Sequence, residues 1–442
     1  MSAAHDASHD APAKPSFREA LSVWLKIGLV NFGGPAGQIA LMHRILVDEK
    51  RWIGEKRFLH ALNYCMLLPG PEAQQLATYV GWLLHGVRGG IVAGVLFVAP
   101  GFAVLLALSI AYYSFGHLPL VEGLFFGLKA AVLALVAEAL IRVARRALKG
   151  QAMVAVAVAA FVAIAFLKVP FPLIVLGAAL TGLGLSLRAA PVGETSAGEH
   201  GSTRSQLAAS AKAAALWGAV WLGPVAAITA TLGAGHVFAQ EAQFFSKVAV
   251  VTFGGAYAVL AYVAQQAVET YHWLKPDEML TGLGLAETTP GPLILVLVFV
   301  GFLAGARGET GLDPLLAGTI GAFVTAWMIF APSFLFIFAG APFVERLRTN
   351  VYVAGALAAV TAAVVGVIAN LALWFGLHVL FRDVGEASFG PISVPIPNLA
   401  GFDPAAALIA AAAAFALIRF HVGMLWVLAL AALAGLAVRL FA

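Results

Sequence analysis

Apolar residues run along this chain in stretches of about twenty, separated by short polar or charged joints. Runs such as Ile91–Tyr112, Gln151–Lys168, Val351–Leu380 and Phe402–Phe420 are long enough to cross about 30 Å of hydrocarbon, which takes roughly 20 helical residues. Lipid offers no water to bare backbone N–H and C=O groups, so a spanning segment must be a helix or belong to a closed barrel. Strict period-two alternation is absent and Ala and Leu dominate, so the pattern predicts helices. Two segments, Phe17–Val47 and Phe58–His85, are interrupted midway by Gly or Pro. Uninterrupted helices follow at about Gly89–Ser114, Val121–Val143, Ala152–Lys168 and Phe171–Leu187, then a central one at Ala213–Leu232, and then the first six again. The expected fold is an all-α polytopic membrane protein of about 13 membrane segments.

The second set of six is a copy of the first. Phe32-Gly33-Gly34 recurs as Phe253-Gly254-Gly255, Trp52 as Trp273, and Pro69-Gly70-Pro71 as Pro290-Gly291-Pro292, each pair 221 positions apart. With small slips, Gly86-Val87-Arg88-Gly89 matches Gly305-Ala306-Arg307-Gly308, Ala99-Pro100 matches Ala331-Pro332, and Gly127–Val132 resembles Gly355–Val360. These landmarks divide the chain into a polar, disordered tail (1–16), a first repeat (17–188), a linker with the central helix (189–242) and a second repeat (243–442).

Charge placement bears on how the halves are oriented. The joint holding Lys50, Arg51, Lys56 and Arg57 is basic, whereas its counterpart near Trp273 holds only Lys275. Arg142, Arg145, Arg146 and Lys149 form a second basic joint, while its counterpart, Arg382–Pro404, has only Arg382. Conversely, Phe115–Gly123 has no Lys or Arg, and its partner holds Arg346 and Arg348. Cytoplasmic loops carry the excess Lys and Arg, so a bias that reverses between copies predicts an inverted repeat, which the single central helix makes possible. The basic first-repeat joints, the linker and the amino terminus are then cytoplasmic.

Composition narrows the class. Only 11% of residues are charged and 61% are hydrophobic, against about 25% charged in soluble domains. The formal charge of +4 is small, and its basic residues cluster between apolar runs, so no nucleic-acid partner is expected. Cys65 is the single cysteine, which excludes an intramolecular disulfide, and the scattered histidines lack ligand spacing, so no metal or cofactor is expected. No Walker motif, dinucleotide fingerprint or nucleophile elbow stands in a plausible soluble context. A cleaved signal peptide is not expected either, because no charged-then-apolar run with a small-residue cleavage site opens the sequence.

The duplicated Gly and Pro breaks hold the candidate chemistry. Gly-Gly leaves helical geometry without a Cβ penalty, and Pro-Gly-Pro removes donors and breaks the hydrogen-bond ladder. A broken helix exposes free N–H groups at a half-helix start, where the aligned peptide dipoles favour an anion. Two pairs of such breaks can surround a tetrahedral dianion. Candidate binding residues are therefore Asn31, Phe32, Gly33, Gly34 and Gln38 at the first break, and Pro69, Gly70, Pro71 and Gln74 at the second. Their second-repeat equivalents are Phe253, Gly254 and Gly255, then Thr288, Thr289, Pro290, Gly291 and Pro292. Gly and Pro also serve helix packing and kinks in membranes, and the amides and hydroxyls also serve interhelical hydrogen bonding. Ionisable groups inside apolar segments cost roughly 2.5–3.5 kcal/mol on insertion scales. Glu72 and Glu287, each beside a Pro-Gly-Pro, are candidates for proton coupling or for capping and ion pairing. Lys129 is a candidate source of positive potential or a snorkelling side chain.

The Phe32-Gly33-Gly34-Pro35 motif followed by Pro69-Gly70-Pro71, with the second-repeat forms, resembles the chromate ion transporter family over nearly the whole chain, in its long, two-domain form. Ala256 stands where the first copy has Pro35, so the two breaks need not be equivalent. The resemblance implies chromate efflux across the bacterial cytoplasmic membrane, with sulfate as a structural analogue and no enzymatic activity. A proton gradient or membrane potential would drive it. At about 2.3 kcal/mol per charge per 100 mV, an inside-negative potential drives a dianion outward by roughly 4.6 kcal/mol. A homodimer is compatible with the sequence. Uptake of sulfate or another oxyanion, a channel, and an intramembrane enzyme acting on lipid remain as alternatives.

Overall fold

The structure is a computed structural model, and it describes residues 14–189, 204–253, 255–340, 350–390 and 392–441. Ser16 caps α1 (Phe17–Val30), its hydroxyl accepting from the Glu19 amide at 3.2 Å. The helix stops at Asn31, and α2 (Gly34–His43) restarts after Gly33 and widens into a π-helical turn over Arg44–Glu49. Next, α3 (Glu55–Cys65) ends ahead of Pro69-Gly70-Pro71, and α4 (Glu72–Phe115) begins on the following residue.

α4 is not one rod. His85 and Gly86 leave helical geometry, Gly86 with φ 63°, and the two arms, 72–84 and 87–115, fold against each other. A Cβ built on Gly81 would stand 2.4 Å from the Gly89 carbonyl oxygen, so this close approach of the arms requires glycine. Around this turn the His85 imidazole bonds the Pro15 carbonyl at 2.9 Å and meets Phe17 edge-on. Lys50, in the joint after α2, pairs with Glu19 at 2.9 Å. The start of α1, the α2–α3 joint and the α4 turn therefore share one end of the molecule, the first face. α1 with α2, and α3 with the short α4 arm, are two hairpins that open on this face and carry their breaks inward.

The second repeat builds the same pair from α9 (Val237–Val251), α10 (Ala256–Gln265, with a π turn at Gln266–Thr270), α11 (Pro276–Thr288) and α12 (Val296–Arg307). Its outer ends also meet. The Arg307 guanidinium donates to both Glu278 oxygens, at 2.7 and 2.5 Å, and to the Trp273 carbonyl at 3.3 Å. Gly308 abuts Val237. The long α4 arm ends here, Tyr112 donating to Glu278 at 3.4 Å, so this second face lies at the far end of that arm. α13 (Pro314–Gly340) folds back on α12 and runs antiparallel to the long α4 arm, with Phe102 and Phe323 rings 4.7 Å apart and Gly90 beside Phe338.

The duplication reaches individual hydrogen bonds. Lys50 and Trp52 amides donate to Ile45 and Leu46, both at 2.9 Å, as Tyr271 and Trp273 amides donate to Gln266 and Ala267, both at 2.8 Å. Between them Arg51 (φ 53°) and His272 (φ 55°) take the same left-handed conformation.

Around this centre stand α5 (Pro119–Ala147), α6 (Gln151–Ala165), α7 (Phe171–Ala189), α8 (Arg204–Leu232), α14 (Val351–Leu380), α15 (Pro404–Phe420) and α16 (Met424–Phe441). α14 packs on α5, α6 and α7, α16 packs on α5, and α8 packs on α13. Among the described residues seven helices are long and apolar enough to cross a membrane, and three shorter ones are apolar.

One expectation is corrected. The fold is mostly helical and not all-α, because the joint after α14 holds an antiparallel hairpin of β1 (Val384–Phe389) and β2 (Ile392–Pro397). Ile392, Val394 and Ile396 alternate with Ser393 and Pro395, a period-two pattern too short to register among the long apolar runs. Lys168 pairs with Glu386 at 3.0 Å and the Ser393 amide bonds the Phe166 carbonyl at 2.8 Å, which pins the hairpin to the end of α6. Most of the tail, most of the linker, and the joint with Arg346 and Arg348 lie outside the described residues.

Candidate functional site

The four breaks meet in the interior as two reciprocal pairs. The Gly70 amide donates to the Thr252 carbonyl at 2.8 Å, and the Gly291 amide donates to the Asn31 carbonyl at 3.2 Å. Thr252 follows Asn31 by 221 positions and Gly291 follows Gly70 by the same number, so each Pro-Gly-Pro is tied to the glycine break of the other repeat. Gly70 (φ 109°) and Gly291 (φ 112°) adopt the same left-handed turn, which a side chain would strain. Each also touches the long helix of the opposite repeat. A Cβ on Gly70 would lie 3.7 Å from the Ser333 hydroxyl, and a Cβ on Gly101 would lie 2.0 Å from the Pro290 carbonyl oxygen. Ser333 and Gly101 each follow the Ala-Pro of their own repeat.

Four helical segments start at these breaks: α2 after Gly33, α10 after Gly255, the short α4 arm after Pro71, and the 3-10 turn Leu293–Leu295 leading into α12 after Pro292. Space is open beside two of them, since a Cβ on Gly34 or on Gly255 would meet nothing within 4 Å. The reciprocal bonds thus bring helix starts of the two repeats together, and a helix start favours an anion.

Polar side chains at the breaks are satisfied to different degrees, and the Asn31 and Gln38 amide oxygens lack partners among the described residues. Asn31 donates from Nδ2 to the Phe97 carbonyl at 3.1 Å, and Gln38 donates to the Asn31 carbonyl at 3.0 Å. Thr288 and Thr289 spend their hydroxyls on Leu285 and Ala286 carbonyls of their own helix. Gln74 is different. It is fully buried, and neither its amide oxygen nor its nitrogen has a partner. A buried amide left unpaired costs about 1–3 kcal/mol, which makes Gln74 a candidate to contact a bound group. Phe32 and Gly33 are exposed, Pro69 and Pro71 line the first Pro-Gly-Pro turn, and Pro290 and Pro292 are buried with the second. Phe253 is half-buried beside the second glycine break, and Gly254 lies outside the described residues.

The charged candidates separate. Glu287 accepts from the Tyr257 hydroxyl at 2.5 Å, at the start of α10, while Glu72 opens the short α4 arm. Lys129 is not with them. Its ammonium pairs with Asp277 at 3.1 Å, at the outer end of α11.

Sequence reading passed over three groups. Glu241 on α9 is buried with both oxygens unpartnered, against Gly321 of α13. Arg142 and Arg146 on α5 enter the sequence analysis as orientation signals alone. Arg142 bonds Glu138, four positions before it, at 2.6 Å, and that i, i+4 spacing was the available signal.

Fold and site together define a multi-pass membrane protein organised around paired, duplicated helix breaks. The chain belongs to the chromate transporter family, whose model matches residues 18–183 and 239–436. It is 35% identical over 373 residues to a chromate transport protein of Pseudomonas aeruginosa, covering 83% of each chain. To a chromate transport protein of Cupriavidus metallidurans it is 28% identical over 360 residues, covering 81% of this chain and 82% of the relative. No solved structure matches it.

Proposed function

We propose that this chain is a secondary transporter that carries chromate, a tetrahedral dianion, out of the cytoplasm across the bacterial inner membrane. The observation that carries this reading is the reciprocal pairing of breaks, Gly70 with Thr252 and Gly291 with Asn31, which brings helix starts of the two repeats together. The binding residues are those at the breaks, with Gln74 as a donor from its unpaired amide. Membrane potential drives export, and Glu72 and Glu287 are the candidates for proton exchange.

In this reading the repeats are inverted. The first-repeat hairpins open on the face that holds the amino-terminal end of α1, and the second-repeat hairpins open on the opposite face. Reversal of the Lys and Arg bias supports the same arrangement, with the first face cytoplasmic. The thirteen segments then resolve into four re-entrant hairpins and nine crossings: the long α4 arm with α5, α6 and α7, α8 alone, and α13 through α16.

Radiolabelled chromate uptake into energised everted vesicles, whose interior-positive potential draws an anion in, tests the function. Saturable uptake above that of vesicles lacking the protein, with competition by sulfate, is expected. Uptake no greater than in those control vesicles would remove chromate export as the activity.

A further inference from the structure

Among the described residues, Glu241 on α9 is the acid that is both fully buried and without a hydrogen bond, neither carboxyl oxygen meeting a donor. Taking an unpaired carboxylate out of water is costly, and native proteins pair nearly every buried polar atom. A glutamate early in a helix is often held by the free N–H groups of the first turn. Glu241 is past that turn, and the cap of α9 is the His236 imidazole, which accepts from the Phe238 amide at 3.2 Å.

The carboxyl points into the crossing of α12 and α13. At the Cβ position of Gly321 its two oxygens lie 2.9 and 3.1 Å away, and the Gly301 carbonyl oxygen is nearer still. One turn along α13 the Thr325 hydroxyl is also fully buried and unpartnered. It presses on Gly301, whose Cβ position lies 2.8 Å from the Gly321 carbonyl oxygen. Oxygens of three helices thus gather where α9, α12 and α13 meet. Charges on the packed elements stay apart from them. α13 has no ionisable side chain, and α12 has Arg307, which is bonded to Glu278. Lys212 of α8 lies in the opposite half of that helix from Thr229, which bonds Gln243 at 3.1 Å. α10 offers Tyr257 and Tyr262, and α9 itself His236 and Lys247. None of these bonds Glu241 among the described residues.

The first repeat builds the same crossing without this chemistry. The residue 221 positions before Glu241 is Ala20, which is buried. Gly81, in the place of Gly301, packs on the Ala93 methyl as Gly301 packs on the Thr325 hydroxyl. Ala93 precedes Thr325 by 232 positions, the offset that also relates the two Ala-Pro pairs. Packing therefore requires neither the carboxyl nor the hydroxyl.

Oxygens that carry one negative charge and meet no donor repel an oxyanion and suit a hard cation. A single positive charge leaves the buried site neutral. We propose that Glu241 and Thr325 bind a monovalent cation, a sodium ion or a proton, close to the second face. A proton resides on the carboxyl alone, whereas sodium also draws on the Thr325 and Gly301 oxygens. Val237, one turn before Glu241, abuts Gly308 on the second face. At its other end α9 stops at Thr252, whose carbonyl accepts from Gly70. The occupant thus sits on a helix that carries one of the bonds between the repeats.

The test is the thermal stability of the purified full-length protein in detergent, with sodium chloride exchanged for choline chloride at constant ionic strength and, separately, with pH lowered from neutral. A ligand held by the folded state raises the melting temperature as its concentration rises. Sodium binding predicts a rise of at least about 2 °C in the parent and none in Glu241→Gln. Thr325→Val should then need roughly tenfold more sodium for the same rise, the loss of one ligand bond. Proton binding predicts no response to sodium, and a gain in stability on acidification that Glu241→Gln lacks and Thr325→Val keeps. Should Glu241→Gln not fold, Glu241→Ala combined with Thr325→Ala, the pair of residues that the first repeat carries, takes its place. Curves of parent and variant that coincide against both sodium and pH would overturn the proposal. Chromate is absent from this assay, so that result leaves the transport reading standing, and a lack of chromate flux in vesicles leaves the cation site standing.

Discussion

The Gly70 amide bonds the Thr252 carbonyl at 2.8 Å, joining the Pro-Gly-Pro turn of one repeat to the glycine break of the other. Gly291 and Asn31 repeat that bond in the opposite sense at 3.2 Å. Each donor is an N–H that its own helix cannot use, and each acceptor is a carbonyl left over where a helix stops. The repeats satisfy one another's orphaned groups, so neither break is complete alone. Any movement of one repeat against the other must lengthen one or both of these bonds.

Topology is the first expectation. Reporter fusions after Lys149 and after Asp383 should lie on opposite sides of the membrane, with Lys149 in the cytoplasm. Both reporters on one side would rule out the inverted arrangement.

The breaks should not tolerate a side chain. Gly70→Val forces a β-branched residue into a left-handed turn and towards Gln75 Nε2, which lies 2.9 Å from the Cβ position. Gly34→Val strains φ 67° while projecting into open space. Chromate flux should fall by at least tenfold in both variants, with membrane protein levels near the parent's. Parental flux in both would move the binding region elsewhere.

Proton exchange through Glu72 is the third expectation. Glu72→Gln removes titration with little change in shape, so flux in proteoliposomes should stop responding to an imposed pH gradient and still respond to voltage. A variant that follows pH as the parent does would clear Glu72 of this role. A parent indifferent to pH would make the protein a uniporter and remove Glu287 as well.

Acid should loosen the β-hairpin. The Ser393 hydroxyl and the Lys168 ammonium hold the Glu386 carboxyl below its usual range. A depressed pKa contributes stability above the unfolded value, about 4.3, and that contribution is lost as pH falls through the folded value. Hydrogen exchange over Val384–Pro397, corrected for intrinsic rate, should show protection constant near neutrality and reduced below pH of about 4. Glu386→Gln should show the reduced protection at every pH.

Much of this was legible in the chain. Length and hydropathy of the apolar runs dictate helices, because lipid permits a lone spanning segment no other way to satisfy its backbone. The constant offset of 221 between Gly70 and Gly291, or Asn31 and Thr252, dictates two copies of one unit, since equal local sequence makes equal local geometry down to Arg51 and His272. Tertiary structure alone decided which break pairs with which, because a bond between residues 70 and 252 leaves no trace in either segment's composition. It also decided how the segments ending at His85 and starting at Gly89 meet: helix runs up to a sharp turn at His85 and Gly86, and the two arms fold against each other. The same holds for charge. Spacing puts Glu138 and Arg142 on one helix face, but only the packing of α5 on α11 sets Lys129 beside Asp277, 148 positions away. Electrostatic reach depends on distance through space, and distance through space is what a linear sequence does not carry.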